Sequence, residues 1–405
     1  MTRRTWRAPH RGGGLGPRWL HWVASLWVAA LVLLGGRSAE AYPWMIQHDY
    51  TGCSTCHTDP SGSGLLTLYG RAQGDLLLRT RYGEPAEAPD PSFGFLFGTV
   101  DLPEWIIGGG YFRGLGLGVQ PEGASMSSEF ILMQADLQAE IQVGGFRANA
   151  SIGAVSSEGS AATVSGHVVS REHWLGYSLA DDTVLVRAGR LNLPFGIRSI
   201  EHTLFVRRST RTDLNDTQQH GLAVAYSGQS LRGELMGIAG NYQMRPDEYR
   251  ERGYSGYLEY PVVSWAAIGV SSLITHAERD VFLRVANTRQ AHGVFSRIAA
   301  GGPLVLLLEA NYIVQAPDGA PTMNGYATLT QADVEVIQGL HAIATGELAD
   351  SGSPTQGFSW GLWGGLAWFF MPHGDIRFDA MRRNMEVGST SFATTALMGQ
   401  LHFYL

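Results

Sequence analysis

The chain has no lysine, only two cysteines and, after its first 41 residues, no long apolar run. All 29 basic residues are arginines, set against 36 acidic residues, and the formal net charge is −7. This acidic balance argues against nucleic acid as a partner, because phosphate backbones bind positive surfaces. Without a second pair of ligands at regular spacing, a structural zinc site is not predicted. Without an apolar run of about 20 residues, a membrane-spanning helix is not predicted either.

The two cysteines stand together in Cys53-Ser54-Thr55-Cys56-His57, which has the C-x-x-C-H spacing of a c-type haem attachment site. Two thiols one helical turn apart can each bond to a haem vinyl group, and the histidine that follows then faces the iron. The motif predicts one covalent haem c, attached at Cys53 and Cys56, with His57 as the proximal iron ligand. A thioredoxin-like disulfide is the alternative, but no βαβ pattern surrounds the motif and His57 then has no role.

Residues 1–41 have the features of a secretory signal peptide. Five arginines within residues 3–18 precede an apolar run from Trp19 to Leu34, and Ala39-Glu40-Ala41 supplies a small-x-small cleavage site. A single membrane anchor is the alternative, since the run is only slightly short of a bilayer span. Cleavage would start the mature chain at Tyr42, on the oxidising side of the inner membrane. It would leave 23 of the 29 basic and 35 of the 36 acidic residues, a net charge of −12.

Beyond residue 100, apolar and polar side chains alternate with a period of two. From Ile131 to Ile141 the odd positions are apolar, whereas the even positions from Gln134 to Gln142 are polar. A strand of a membrane barrel has this pattern, with its apolar side towards lipid, because only a closed barrel satisfies every backbone group of a sheet within a bilayer. A soluble barrel or sandwich would also alternate, with its polar face towards water.

The connections between these segments alternate between short turns and longer polar stretches. The predicted short turns lie near Gly144-Gly145, Asp181-Asp182, Gly228-Gln229, Pro261, Gly301-Gly302-Pro303, Gln338-Gly339 and Pro372-His373-Gly374. The predicted long connections lie near 120–129, 156–166, 193–217, 243–252, 276–289, 316–322, 349–356 and 385–391. Such alternation is typical of short periplasmic turns and longer external loops. We therefore predict an all-β fold, a transmembrane antiparallel β-barrel of about sixteen strands in the bacterial outer membrane, with both ends in the periplasm.

Two groups of side chains invite a functional interpretation within this barrel. Aromatic residues near strand ends are predicted to form the interfacial girdle, with burial in the core as the alternative: Trp360, Trp363, Trp368, Phe369 and Phe370. Loop carboxylates could attract cations, although solvated loop charge is the plainer interpretation: Glu201, Asp213, Asp216, Asp247 and Glu248.

The remaining part of the chain lies between the signal peptide and the barrel. An apolar side at Leu65, Leu66, Tyr69 and 76–78 predicts a helix over 64–79. A Pro-rich stretch at 84–91 then predicts a linker. The domain boundaries follow as signal peptide 1–41, monohaem module 42–84, linker and approach to the barrel 85–104, and barrel 105–405. Because some forty residues cannot both wrap a haem and build a core, we expect the small helical module to plug the barrel at its periplasmic mouth, inside the lumen.

The whole layout resembles the outer-membrane monohaem cytochrome–porin fusions, the iron-oxidising outer-membrane cytochrome c type. In that family a signal peptide precedes C-x-x-C-H, a short segment with L-T-x-F/Y-G-R, and a sixteen-stranded porin. The matching residues are Cys53, Cys56 and His57 and the stretch Leu66-Thr67-Leu68-Tyr69-Gly70-Arg71. The stretch 189–196 is similar to a segment common in such porins. One departure is that Asp59-Pro60 and a Ser/Gly run replace the family's Phe-Pro after the haem histidine.

The resemblance implies electron transfer across the outer membrane, with an iron oxidase as the implied enzyme class. An extracellular donor such as Fe(II) would reduce the haem, and a soluble periplasmic c-type cytochrome would accept the electron. A solute porin whose haem-bearing plug closes the pore or senses redox state is the alternative, and a conduit that exports electrons to an external acceptor is a third. For the sixth iron ligand the module itself offers His48 or Met45, and a barrel residue could serve instead. Methionine would give the higher redox potential.

Overall fold

The computed structural model describes residues 45–48, 50, 52–83, 92, 94–154, 168–201, 203–214, 217–353, 356–388 and 390–405. The predicted signal peptide and the Pro-rich stretch lie outside the described residues. Two short α-helices lie within them, α1 (Leu68–Gln73) and α2 (Phe205–Thr210). Single 3₁₀ turns occupy Met45–Gln47, Cys53–Thr55 and Asp247–Tyr249, and a π-helical turn occupies Gly74–Leu78. None of the described helices has the length and apolarity needed to cross a bilayer.

Strands make up most of the remainder. In chain order they are β1 (Ile106–Pro121), β2 (Ser127–Val143), β3 (Phe146–Ala154), β4 (Val168–Val169), β5 (His173–Leu179), β6 (Val184–Leu191), β7 (Gln219–Ser227), β8 (Arg232–Gly240), β9 (Arg252–Val263), β10 (Ala266–Ala277), β11 (Asn287–Ala299), β12 (Leu304–Pro317), β13 (Met323–Ile337), β14 (Leu340–Asp350), β15 (Gln356–Met371), β16 (Gly374–Val387) and β17 (Thr390–Tyr404).

The strands form one closed antiparallel barrel. Neighbours in the chain pair with each other, and β1 also pairs with β17, with Phe112 opposite Phe403. Strands β4 and β5 both pair with β3, at different positions along it, so together they occupy one place in the wall. The described strands therefore fill sixteen positions, which confirms the predicted fold class. With an even number of positions, β1 begins and β17 ends at the same mouth.

The wall is polar inside and apolar outside. On β2, Asp136, Gln138 and Glu140 are buried, whereas Leu137 and Ile141 are exposed. Exposed aliphatic side chains continue around the barrel, among them Leu175, Leu222, Leu235, Leu258, Val270, Val294, Leu362 and Leu397. A soluble barrel would show the reverse arrangement, so the outer face is a lipid-contacting surface.

The predicted alternation on β2 is wrong at its N-terminal end. Leu132 is exposed, and Met133 is not. The pairing with β1 shifts here, because Arg113 is opposite Gln134 and Gly114 is opposite Leu132, which leaves Met133 without a partner position. This is a β-bulge, and its extra residue reverses which positions face lipid.

The aromatic run on β15 does not form a single girdle. Trp368 is exposed on the outer face, but Trp363 and Phe369 are buried on the inner face, so the girdle prediction is wrong for these two. Trp363 Nε1 donates a hydrogen bond to Glu347 Oε2 at 2.6 Å inside the lumen. Successive side chains of a strand point to opposite faces, so a continuous aromatic run must divide between them.

Short turns and longer loops lie at opposite ends of the barrel, here called the turn mouth and the loop mouth. The short connections are 144–145, 180–183, 228–231, 264–265, 300–303, 338–339 and 372–373. Two predicted connections are wrong in detail, since Pro261 lies within β9, and since β16 continues to Val387 and β17 begins at Thr390, within the predicted loop 385–391. The usual asymmetry of outer-membrane barrels makes the turn mouth the periplasmic one.

In the longest connection, the described residues 192–201, 203–214 and 217–218 fold into the lumen and are here called the inner loop. Its Leu193, Phe195 and Val206 pack with inward-facing Trp174 and Met236 in one buried cluster. The prediction that this stretch is an external loop is therefore wrong. Its apolar residues and its helix α2 are buried inside the barrel instead of being solvated above it.

The described residues between 45 and 83, here called the N-terminal segment, also lie against inward-facing residues, at the turn mouth. Met45, Ile46 and Leu78 share an apolar cluster with Phe295 and Val305 of the wall. Gln338 Nε2, in a short turn, donates to the carbonyl oxygens of Leu76 and Arg79 at 2.8 and 3.1 Å. These contacts fix both ends of the segment to the barrel.

Within this segment the predicted helix over 64–79 begins later, at Leu68. The side chain of Thr67 caps α1 by accepting a hydrogen bond from Gly70 N at 3.0 Å. Residues just before the cap pair instead with the haem-type motif, since Thr58 N donates to Leu65 O and Thr67 N to Cys56 O, both at 2.9 Å. The capping threonine and this backbone pairing make the helix begin at Leu68, whereas the apolar pattern alone would place its first residue at 64.

Candidate functional site

The C-x-x-C-H motif forms a tight turn. Backbone N–H groups of Cys56 and His57 donate to Cys53 O at 3.2 and 2.9 Å, and a 3₁₀ turn spans Cys53–Thr55. Cys53 and Cys56 are not joined in a disulfide. The thioredoxin-like interpretation therefore finds no support in this geometry. One turn of helix separates the two sulfur-bearing side chains, which is the spacing that attachment of a single planar group requires.

Both cysteines and His57 line one cavity in the lumen. Met45, Leu78, Ile197 and Phe295 contribute apolar surface to its lining. The lining also includes five arginines, namely Arg113, Arg171, Arg198, Arg232 and Arg297. It combines two thiols, an imidazole, apolar side chains and several arginines.

The turn after His57 is anchored to the barrel wall through Asp59. Asp59 Oδ1 accepts hydrogen bonds from Ser61 N at 3.0 Å and from Arg187 at 3.3 Å, and Asp59 Oδ2 accepts one from Asn192 at 3.2 Å. Burial alone would raise the pKa of Asp59, but Arg187, Arg198 and the Ser61 hydrogen bonds hold this pKa below its ordinary value. The residue that replaces the Phe of the similar family is therefore a buried anion that ties the motif to β6.

His57 is buried beside this anchor. Burial lowers the pKa of His57 below that of a free histidine, and the nearby Asp59 opposes this shift in part. The ring nitrogen Nδ1 has no hydrogen-bond partner. A neutral imidazole with unused hydrogen-bonding capacity in a cavity is chemically suited to ligate a metal.

Arg232 places a positive charge next to the motif. Its Nη1 lies 3.2 Å from Cys53 Sγ, and its other end pairs with Glu259. Sequence reasoning missed Arg232, since 175 residues of barrel wall and linker separate it from Cys56 and no local pattern marks it.

Close packing leaves no room beside the turn. A Cβ on Gly62, whose φ is +84°, would lie 2.8 Å from Cys53 Sγ, and a Cβ on Gly70 would lie 2.3 Å from Cys56 O. Both positions need glycine for these close approaches. Gly70 belongs to the Leu66–Arg71 stretch singled out in the sequence, so that stretch contributes directly to shaping the motif.

The two candidates for the sixth ligand differ in position. Met45 lines the cavity. His48 does not: its Nε2 lies 3.3 Å from Glu335 Oε2 and 3.3 Å from Gln47 Nε2, at the wall. A histidine that sequence reasoning could not choose does line the cavity, namely His402 on β17.

The candidate cation-attracting carboxylates divide into two groups. Glu201 is buried and pairs with Arg377 at 3.0 Å inside the barrel, so it is neither solvated nor free to attract ions. Asp247 and Glu248 are exposed at the loop mouth, where they pair with arginines including Arg250. Asp213 belongs to the inner loop, and residue 216 lies outside the described residues.

Comparisons with known proteins identify the fold of the barrel. No protein-family model matches the chain, and no curated protein matches it. Among solved structures, a form of OmpT of Vibrio cholerae lacking loop L8 aligns with a TM-score of 0.58 at 11% identity, covering 74% of this chain and 99% of that one. An anion-selective porin from Comamonas acidovorans gives 0.57 at 11% identity, with 74% and 99% covered. The outer-membrane channel DcaP of Acinetobacter baumannii gives 0.56 at 11%, with 74% and 97% covered.

At such low identity the likeness concerns the fold. It covers nearly the full length of each porin and leaves about a quarter of this chain outside the match. The closed sixteen-position barrel, with its apolar outer face, is thus a porin-like barrel of the bacterial outer membrane.

Proposed function

We propose that this porin-like barrel holds one covalent haem c and transfers electrons across the outer membrane. The observation that carries the proposal is that Cys53, Cys56 and His57, the complete attachment motif, line one lumenal cavity and that the two cysteines are not joined in a disulfide. When bound, a c-type haem supplies one-electron exchange between ferric and ferrous iron. The chain would supply its attachment, position and surroundings.

Each part of the site has a role in holding the group. Cys53 and Cys56 would form thioether bonds, and His57 would ligate the iron. The apolar residues of the lining, such as Ile197 and Phe295, suit the face of a porphyrin, whereas its arginines suit the two propionates. Asp59 holds the motif on the wall through Arg187 and Asn192, so the group would be fixed relative to the barrel.

The two mouths of the barrel suggest the direction of access. The motif lies at the turn mouth, where a soluble periplasmic cytochrome could dock. The inner loop lies between the cavity and the loop mouth, and several of its residues, including Asn192, Gly196 and Leu214, line that cavity. An extracellular one-electron donor such as Fe(II) would act from the loop side as the reduced substrate, each Fe(II) losing one electron.

The test is a visible spectrum of the detergent-purified protein, before and after anaerobic addition of Fe(II), from a host competent in cytochrome c maturation. We expect a c-type spectrum that converts from the oxidised to the reduced form. A spectrum that responds to dithionite but not to Fe(II) would retain the haem and exclude Fe(II) as the donor, favouring another donor or outward flow. Absence of any haem band would refute the proposal. The Cys53→Ser/Cys56→Ser variant, which should assemble as a barrel without covalent haem, is the matched control.

A second candidate function is a solute porin whose N-terminal segment closes or gates the pore, and the porin-like fold favours it. One of the similar structures is described as anion-selective. This chain also carries many arginines in its lumen, although most pair with carboxylates, as Arg207 does with Glu309. Planar-bilayer conductance separates the two functions. A porin should give well-resolved channels and select anions, whereas an electron conduit needs no ion current.

A further inference from the structure

A second histidine shares the cavity with the motif. His402, near the end of β17, points inward, is 7% exposed, and lines the same cavity as Cys53, Cys56 and His57. Among the described residues, His57 and His402 are the two histidines that do so. The remaining ones are elsewhere; His48 contacts Glu335, for example.

Neighbouring side chains fix the orientation of the His402 ring. Its Nδ1 lies 2.8 Å from Asp375 Oδ2 on the adjacent strand β16. The ring stacks on Tyr111, with 5.9 Å between the ring centroids and 11° between the planes, and Tyr404 packs against it at 5.3 Å. A carboxylate bound to one ring nitrogen holds the proton there and leaves the lone pair on the other nitrogen.

That other nitrogen has no partner. His402 Nε2 is buried and makes no hydrogen bond, which leaves a polar atom unsatisfied in the interior. Such an atom normally costs stability and calls for an explanation. A carboxylate on one nitrogen and a metal on the other is the common arrangement of a ligating histidine.

Tyr111 also links His402 to the motif. The Tyr111 hydroxyl donates a hydrogen bond to Gly64 O, in the turn that follows His57, and its ring stacks on His402. The backbone of Gly64 in turn lies beside the His57 ring. The two histidines are thus held at the same part of the cavity by one tyrosine.

We propose that His402 Nε2 is the second axial ligand of the haem iron, supplied by the barrel wall. This inference rests on the proposed function, since it requires the covalent haem. The second iron ligand is then neither His48 nor Met45. Histidine coordination on both sides would give a lower redox potential than a histidine–methionine pair. It would also bond the barrel wall to the N-terminal segment through the iron.

The experiment compares variants of the full-length holo-protein by electron paramagnetic resonance and optical spectroscopy of the ferric form. The wild type should give a low-spin, bis-histidine signal. His402→Gly should lose that signal and become high-spin, and added imidazole should restore it. His402→Met should stay loaded but show a thioether–iron charge-transfer band and a higher potential. Haem staining checks that each variant is loaded.

Two further variants keep the result decisive. His341→Gln is the matched control, because His341 is also inward-facing and bound by a carboxylate, Asp333, at 2.8 Å, but does not line the cavity; its spectrum should be unchanged. Met45→Leu should likewise leave the signal intact. A low-spin signal that persists in His402→Gly, or disappears in Met45→Leu, would overturn the assignment, and so would a high-spin wild type. A wild type without covalent haem would instead refute the proposed function itself.

Discussion

Two segments fill the lumen of this barrel, and they fill it in different ways. The inner loop packs its apolar residues against the wall and pairs its charges across the barrel, as Arg207 does with Glu309. The N-terminal segment is attached at its ends, at Asp59 and at Gly64, whose carbonyl oxygen accepts a hydrogen bond from Tyr111, and its middle also borders a cavity. The inner loop therefore fills its part of the lumen, whereas the N-terminal segment lines a cavity.

The difference shows how one type of wall can serve two purposes. Inward positions of the strands supply arginines and carboxylates at both levels of the barrel. Around the inner loop they satisfy one another and the loop backbone, for example where Glu347 accepts a hydrogen bond from Phe205 N. Around the N-terminal segment some also line the cavity, such as Arg113, which donates to Gln400 Oε1, and Arg297, which pairs with Glu259. A cavity lined by charged groups and apolar surface is expected to bind a ligand. A network of paired charges and hydrogen bonds that encloses no cavity mainly stabilises structure.

The largest effect should come from deleting the N-terminal segment while keeping the inner loop. Deleting residues 42–92 takes away the N-terminal segment, and the inner loop alone should not seal the barrel. We expect this variant to show single-channel conductance in planar bilayers under conditions where the full-length protein shows none. Heat-modifiable migration on gels would verify that the barrel has folded. Equal conductance with and without the segment would show that it does not obstruct the lumen.

The next effect concerns the closing role of the inner loop. Glu309→Gln leaves the buried guanidinium of Arg207 without its anionic partner, and breaking such a buried pair costs about 3–5 kcal/mol. We expect a loss of this order in the free energy of unfolding by urea in detergent micelles, with haem loading retained. Asp247→Asn, at an exposed pair with Arg250, is the matched control and should cost no more than about 1 kcal/mol. Similar losses in the two variants would mean that the inner loop is not held through Glu309.

Local patterns in the sequence predict the wall well and the lumen poorly. Alternating side chains and turn residues suffice for a sixteen-position barrel, because strand faces and hairpins are decided by neighbours in the chain. They fail at Met133, where one extra residue reverses the alternation, and at Trp363, where an aromatic residue faces inward. Nor does the polar-looking stretch 192–218 reveal that it folds inward.

The candidate site likewise combines residues that a local sequence motif predicts with residues that it does not predict. Cys53, Cys56 and His57 are adjacent in sequence, so their shared cavity follows from a local motif. Arg232 and His402 reach that cavity from strands far along the chain, and which inward residues meet the motif depends on barrel register and on how deep the segment sits. Barrel strands carry many inward polar residues of similar appearance, so composition alone cannot select these two.

Acidification should weaken the anchoring of the inner loop, in which Glu251 pairs with Arg211. Burial alone would raise the pKa of Glu251, but Arg289 and Arg211 hold it below the ordinary value for glutamate. A carboxyl whose folded pKa is depressed stabilises the protein above its unfolded pKa, and this stability is lost as pH falls through the folded pKa. We therefore expect unfolding free energy to decline below about pH 4.3, the ordinary glutamate value.

Urea unfolding at pH 7 and at several pH values below 4 would check this. Glu251→Gln should lose about 1.5–3 kcal/mol at pH 7, the usual value of hydrogen bonds to a charged group, and should show a shallower decline on acidification. Asp280 also binds Arg211, so part of the decline should remain in this variant. A pH profile parallel to that of the wild type would exclude Glu251 as a titrating anchor.

The smallest effect tests whether the space beside Cys53 in the N-terminal segment is needed for haem attachment or only for packing of the turn. Gly62→Ala would strain a backbone with φ of +84° and push a methyl group against Cys53 Sγ, whereas Gly301→Ala has nearly the same φ, +83°, with open space around it. Both should lose about 1–2 kcal/mol from the left-handed conformation. Because the methyl group of Gly62→Ala occupies the space beside the reacting sulfur, only that variant should also lower the fraction of protein that carries covalent haem, measured by intact mass. Equal loading of the two variants would mean that the space beside Cys53 is not needed for attachment, and that the glycine serves the turn alone.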